Sequence, residues 1–213
     1  MMKALHSIAC LTRTATLRVL PVVVLAGWLA ACDNRPSTLD RILSDNELIV
    51  ITRNSSTTYY VGPDGPTGFE YELAKRFADY LNVELRIVVP PNFSDILPLT
   101  ALGDAHLAAA GLSITDKRKE KVRFGPVYHT ITPQLVYRSG NRKPKNPAEL
   151  DGLLEVVAGS SHEEHLEKLR EDHPDLSWVA DREQGSEERL ELGWQLLIDD
   201  TVADSVVLAV SRR

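Results

Sequence analysis

Downstream of residue 40 the chain alternates between short β-branched runs and stretches with helical spacing. Residues 40–47 predict one or two helical turns, and Leu48-Ile49-Val50-Ile51-Thr52 predicts a buried strand. Asn54 to Gly68 is rich in Ser, Thr, Gly and Pro and reads as loop. Phe69, Leu73, Phe77 and Tyr80-Leu81 recur at helical spacing, with Glu72, Lys75, Arg76 and Asp79 between them, which predicts an amphipathic helix over 70–81. Val83 to Val89 alternates as a second strand and ends at Pro90-Pro91-Asn92. Ser94 is placed to cap a short helix through Leu102, which Gly103 stops. His106 to Ala110 and Gln134 to Arg138 read as further strands, with a Gly125-Pro126 loop between them.

The stretch Ser139 to Pro147 interrupts the pattern and suggests a lobe boundary. After it come a strand at Glu155 to Ala158, a turn at Gly159-Ser160-Ser161 and a charged helix from His162 to Asp172. A short strand at Trp178-Val179, a helix from Ser186 to Leu197 and a last strand at Thr201 to Asp204 complete the pattern. Strands interleaved with helices predict parallel α/β sheets rather than an all-β fold or a helical bundle. The organisation expected is a leader over 1–32, a polar tether over 33–40, a first lobe over 41–138 and a second over 139–213.

The leader has its own signature. Lys3, Arg13 and Arg18 precede the apolar run from Leu20 to Ala31, and no acidic residue occurs before Cys32. A basic segment followed by a short apolar one is signal-peptide architecture, too short to span a bilayer, which needs about 20 apolar residues. Leu29-Ala30-Ala31-Cys32 resembles the lipobox of bacterial lipoproteins, in which the Cys is acylated and becomes the new N-terminus. Cys10 and Cys32 are the only cysteines, so on this reading no thiol remains for a disulfide, a metal site or a nucleophile. Loss of the leader takes the formal charge from −6 to −9. An acidic exported domain without a long Lys/Arg cluster argues against nucleic acid as a partner.

Two segments are more specific. Gly68-Phe69-Glu70-Tyr71-Glu72-Leu73-Ala74 resembles the Gly-Phe-Asp-x-Asp-Leu-Ala signature of the family 3 periplasmic solute-binding proteins. Gly111-Leu112-Ser113-Ile114-Thr115-Asp116-Lys117-Arg118 resembles their second signature, Ser-x-Ser-Ile-Thr-x-x-Arg. The resemblance implies a two-lobed α/β fold of the type II periplasmic-binding-protein kind that takes a small-molecule amino acid between its lobes. Within that group, Thr57-Thr58-Tyr59-Tyr60, the 69–81 segment, Pro133 to Tyr137 and Ala203-Asp204-Ser205 resemble the N-terminal module of the membrane-bound lytic murein transglycosylase F family. There such a module precedes a lysozyme-like catalytic domain that cleaves peptidoglycan glycan strands. The Glu-Ser motif of that domain is not found in these residues, so no catalytic residue is expected here. The resemblance also implies that the fold is incomplete at its C-terminal end, lacking elements that return to the first lobe.

The resemblance assigns ligand-binding roles. It puts Arg118 against a ligand carboxylate, with Ser113 beside it as a hydroxyl donor; without the motif, Arg118 reads as one charge in the surface run 117–121. The family's first signature Ser is replaced by Gly111, which leaves only backbone at that place. Gly159-Ser160-Ser161 resembles the turn that offers N–H and hydroxyl groups at a helix start; a capping box of Ser161 with Glu164 reads equally well. Asp204 falls where the family pairs a carboxylate with the ligand ammonium, though a strand-end Asp capping the next helix is as good a reading. Tyr59 and Tyr60 sit in the loop where the family presents an aromatic ring, with core packing as the alternative.

Glu70 and Glu72 lie two apart and do not face each other, so helix-dipole and packing roles fit them better than a catalytic pair. His162 and His165 have a metal-compatible spacing, yet a solvated helical face explains them better, and neither metal nor cofactor is expected. Three functions follow: a sensor of an amino acid or peptidoglycan-derived peptide held to a membrane by lipid, the enzyme that such a module would regulate, or an amino-acid-binding lipoprotein of an importer.

Overall fold

The computed structural model describes residues 36–137, 140, 143–145, 147–150, 152–183, 185–195 and 199–211. Cys32, the leader, residues 33–35 of the predicted tether and residues 139, 141, 142 and 146 of the predicted lobe boundary lie outside these residues. Among the described residues no helix is long and apolar enough to cross a membrane.

Helix α1 (Thr38–Asp45) begins inside the predicted tether. Its start is set by Ser37, whose Oγ accepts from the Asp40 N–H at 3.1 Å while the Asp40 carboxylate accepts from the Ser37 N–H at 2.9 Å. Strand β1 (Glu47–Ile51) then runs between β4 (Glu84–Val88) and β5 (Leu107–Ala108), parallel to both. Its β-branched residues suit a strand covered on two faces. Leu48 and Val50 join Ile42, Ala74 and Ala78 in one core layer. Ile49 and Ile51 pack on the other side with Ile96, Leu99 and Ala110. Each fully buried aliphatic side chain of this kind contributes about 1.5–3 kcal/mol.

The segment predicted as loop holds a small antiparallel hairpin, β2 (Tyr60–Gly62) and β3 (Gly65–Thr67). It leads into α2 (Phe69–Leu81), which Asn82 ends in the left-handed conformation. The face of α2 turned inward is not the predicted apolar stripe. Glu70, Ala74 and Ala78 are buried, whereas Phe69 is 56% and Tyr80 83% exposed, with Leu73 and Phe77 also exposed. Small residues at 74 and 78 let the helix axis approach the sheet closely, and that outweighs the larger side chains on the opposite side. Ser94 does not cap a helix; it sits within a single 3₁₀ turn, Phe93–Asp95, that runs into α3 (Ile96–Leu102). Gly103 ends α3 in the left-handed conformation, as its position predicts.

A four-residue helix α4 (Asp116–Lys119) follows β5. The second sheet has the order β6-β9-β7-β8, built from β6 (Pro133–Val136), β7 (Leu154–Val157), β8 (Val179–Asp181) and β9 (Asp200–Asp204). Strands β7, β8 and β9 are parallel, but β6 pairs with β9 antiparallel, which departs from the all-parallel expectation. Helix α5 (Ser161–Leu169) covers one face, where Leu166 meets Leu154, Val156 and Val202. Helices α6 (Ser186–Trp194) and α7 (Ser205–Ser211) cover the other, where Leu190 and Val207 meet Ala203. Arg189 on α6 has no exposed surface and is neutralised by Glu155, whose carboxylate accepts from its Nη1 at 2.8 Å, and by Asp181, 2.6 Å from its Nη2.

Candidate functional site

In open parallel sheets, ligand sites form beyond the carboxyl ends of the strands, where loops diverge. Here those ends come from both sheets and converge. Arg53 follows β1, Gly111 and Ser113 follow β5, Ser160 and Ser161 follow β7, and Asp204 ends β9. Together with Phe93, Arg118, Val157, His162 and Ser186 they enclose one polar cavity of about 20 Å³. That is room for about one water molecule, so the cavity belongs to a closed arrangement of the lobes.

Arg118 is 2% exposed and all three of its nitrogens are engaged. Nε donates to Glu164 Oε1 at 2.7 Å, Nη1 to the Ser113 carbonyl at 3.2 Å, and Nη2 to the Gly159 carbonyl at 2.9 Å. Glu164 also accepts from the Thr115 hydroxyl at 2.8 Å. Two of these partners lie on the second lobe, so Arg118 closes a clasp between the halves. Ser161 Oγ donates to Ser113 Oγ at 3.2 Å, and Lys117 reaches Glu167 at 2.9 Å, where the partner charge holds its ammonium pKa above the ordinary lysine range. A second contact joins the lobes from α6: Glu187 accepts from the Ser55 and Ser56 hydroxyls at 2.7 and 2.9 Å.

The turn into α5 is capped one residue earlier than predicted. Ser160 Oγ accepts from the Glu163 N–H at 3.2 Å, and the Glu163 carboxylate accepts from the Gly159 N–H at 2.7 Å. Glu164 is thereby released from capping and reaches Arg118. Gly159 adopts φ +72°, and a Cβ on it would stand 2.9 Å from Ser94 Cα, so the turn and the first lobe touch backbone to backbone.

Asp204 ends β9 directly before α7 and lies beside His162. Its Oδ1 is 3.2 Å from His162 Nε2 but forms no aligned hydrogen bond, and it is buried. His162 is itself buried, which overturns the reading of that residue as part of a solvated face; His165 is exposed as that reading requires. Among the described residues, no group of three or more His, Cys, Asp or Glu side chains could hold a metal.

Tyr59 and Tyr60 are not brought to the cavity. Tyr59 packs against Tyr71, with ring centroids 5.7 Å apart, and lines a larger hollow on the outer side of the first sheet. Tyr60 is exposed in the hairpin. That hollow, about 550 Å³, has Lys75, Asp79 and Glu84 among its lining residues, but no residue of the second lobe and none of the second signature reaches it. The aromatic ring at the cavity is Phe93, with the Arg53 guanidinium 5.3 Å from its centroid.

The sequence reading gives no place at the site to Arg53 and Phe93, which line the cavity, or to Glu70, which holds Gly111 beside it. Arg53 and Phe93 lie outside both signatures. Glu70 lies inside one, yet it is buried, and its role is to hold the second signature in place: Oε2 accepts from the Gly111 N–H at 2.7 Å while Oε1 accepts from the Tyr128 hydroxyl. Burial pushes the Glu70 carboxyl pKa upward, against the opposing pull of those two donors and the Arg53 charge. Burial, together with the Glu70 carboxylate that the ring hydroxyl donates to, pushes the Tyr128 pKa well above the ordinary tyrosine range.

Comparison with known proteins agrees with this geometry. Residues 48–184 match the family model of bacterial extracellular solute-binding proteins, family 3. Membrane-bound lytic murein transglycosylase F 1 of Alkalilimnicola ehrlichii is 45% identical over 188 residues, covering 87% of this chain and 38% of that protein. Membrane-bound lytic murein transglycosylase F of Photobacterium profundum is 40% identical over 198 residues, covering 90% and 38%. The match is to the N-terminal module of these relatives, and the chain spans about two fifths of their length. Among solved structures, an ancestral amino acid-binding protein described as a precursor of cyclohexadienyl dehydratase superposes with a TM-score of 0.68 at 26% identity, covering 82% of this chain and 77% of that one. An ancestral arginine-binding protein bound to arginine superposes with a TM-score of 0.65 at 26% identity, covering 78% and 73%. The fold is that of the type II periplasmic amino-acid-binding proteins, and the chain belongs to the family 3 bacterial extracellular solute-binding proteins.

Proposed function

We propose that this chain is the ligand-sensing module of a lytic murein transglycosylase F-like protein, binding an amino acid or the end of a peptidoglycan-derived peptide between its lobes. The observation that carries this is the convergence of strand ends from both sheets on one polar cavity that includes the Asp204 carboxylate. Gly111, Ser113, Ser160, Ser161 and Asp204 face the ligand, and Arg118 ties the lobes together behind it. Opening and closing of the lobes about the connecting segments is the motion that a neighbouring catalytic domain would read. Acylation at Cys32 would hold the module on the periplasmic face of a bacterial membrane.

Titration calorimetry of the chain with the L-amino acids and a synthetic peptidoglycan stem peptide tests the binding claim. Asp204→Asn should weaken binding of any ligand that carries a free ammonium by about tenfold or more. Heat from none of these compounds would refute the sensor reading. Labelled palmitate should enter the wild-type chain in bacterial cells and not the Cys32→Ala variant.

A further inference from the structure

Beside Asp204 the cavity holds an ionisable ring. His162 is the second residue of α5, is 7% exposed and lines the cavity. Its Nε2 stands 3.2 Å from Asp204 Oδ1, yet the two are not aligned for a hydrogen bond, and Oδ1 is buried without a donor. Asp204 is also the group expected to meet a ligand ammonium. An imidazolium and an ammonium each carry a full positive charge, and one buried carboxylate cancels only one of them. We propose that His162 is a built-in competitor at the ammonium end of the site: its protonated ring takes Asp204, its neutral ring yields Asp204 to the ammonium, and the amino acid and the proton therefore exclude each other. The proposal rests on the amino-acid reading above and adds the group that tunes it.

The surroundings of the ring make Asp204 its support when it is charged. Its own helix opposes a cation there, because the N–H groups of the first turn of α5 carry partial positive charge. Arg53 and Arg118, from the first lobe, line the same cavity and add positive charge. The acidic residues that follow on α5 are engaged elsewhere. Glu163 accepts from the Gly159 N–H at 2.7 Å, and Glu164 accepts from Arg118 Nε at 2.7 Å and the Thr115 hydroxyl at 2.8 Å. On α6, Glu187 is held by the Ser55 and Ser56 hydroxyls. An imidazolium at 162 therefore depends on Asp204. A ligand ammonium that neutralises Asp204 removes that support and sets a like charge beside the ring. The neutral ring makes no such demand. It leaves Oδ1 buried and without a hydrogen bond, a condition that an ammonium with its three donors relieves.

The experiment measures, by titration calorimetry, binding to the full chain in detergent of the L-amino acids other than histidine and of the synthetic stem peptide. The tightest of these is then followed from about pH 5 to about pH 7, where imidazoles lose their charge and α-ammonium groups keep theirs. Wild-type affinity should rise by about 5- to 30-fold over that range, because two events that exclude each other are linked by up to about tenfold per pH unit. H162Q, neutral at every pH, should bind the same compound with a nearly constant affinity that exceeds the wild type's at the acid end. Binding to the wild type in the middle of the range should also release part of a proton, read as a difference in heat between phosphate and Bis-Tris buffers. That release needs no variant, so it supplies the reading, together with H162N, if circular dichroism shows H162Q to be unfolded. A folded His162 variant whose affinity rises with pH as the wild type's does would overturn this inference and leave the amino-acid reading standing. So would a wild type that binds without pH dependence or proton release. A wild type that binds none of these compounds would overturn both.

Discussion

Replacing Glu164 by Gln should open the lobes. The carboxylate lies 2.7 Å from Arg118 Nε, with side chains 2% and 18% exposed, and it joins α5 of the second lobe to α4 of the first. Two unit charges about 4 Å apart at an effective dielectric of about 20 attract by about 4 kcal/mol. When the lobes part, both groups regain water, which returns part of that energy, and Gln retains one acceptor for Arg118 or Thr115. A net shift of about 2–3 kcal/mol towards the open form remains, a change of about 30- to 150-fold in the closing equilibrium. Because both side chains are solvated when the lobes part, the loss should appear in lobe separation before it appears in unfolding.

Dyes on Arg76→Cys and Lys168→Cys, one on each lobe, report that equilibrium by energy transfer, in a background with Cys10 and Cys32 replaced by Ser. Glu167→Gln is the internal control. It removes an interlobe pair from the same helix, but that pair has side chains 57% and 48% exposed, and such pairs contribute little. Glu164→Gln should therefore lower energy transfer clearly while Glu167→Gln leaves it near the wild-type value. Equal effects from the two variants would refute the argument that burial gives the Arg118 pair its hold.

Gly159→Ala should also disfavour closure, by about 1–3 kcal/mol, because its φ is left-handed and its new methyl would meet Ser94 backbone; the same energy-transfer pair reads it, and an unchanged signal would contradict the close approach. Glu70→Gln should change the pH dependence of melting. The folded carboxyl pKa is raised, so the contribution of Glu70 is fully present below its unfolded value of about 4.5 and is lost as pH rises through the folded value. The Tm advantage of the wild type over Glu70→Gln should accordingly shrink from acid towards neutral pH in a scan of melting curves; a growing advantage would reverse the assignment. Arg189→Ala strands Glu155 and Asp181 inside the second lobe and should cost about 3–5 kcal/mol, read as a lower urea midpoint.

The alternation of strand and helix was legible because period and punctuation are local. The order of elements around β1, the stop at Gly103 and the turn at Gly159 follow from residues within a few positions of each other. What could not be read locally is whatever a distant partner decides. The stripe Phe69, Leu73, Phe77 announces a buried face, but close approach to the sheet favours the smaller Ala74 and Ala78, and the stripe turns outward. Strand β6 reads like its neighbours, and only its pairing with β9 across the 139–147 connection makes it antiparallel. Trp178 reads as the start of a strand that in fact begins at Val179, with no hint that Arg170 would stack over its ring at 3.8 Å.

The site shows the same division more sharply. The second signature drew attention to Gly111, Ser113 and Arg118, and the backbone path that it encodes brings all three to the cavity. It could not encode the charge that Arg118 meets. That charge comes from Glu164, which is free to reach it only because Ser160 and Glu163 perform the capping that was assigned to Ser161 and Glu164. A one-residue displacement of a helix cap thus gives Arg118 a carboxylate partner on the other lobe. What Arg118 meets is therefore decided by the assembled cavity rather than by any one segment that lines it.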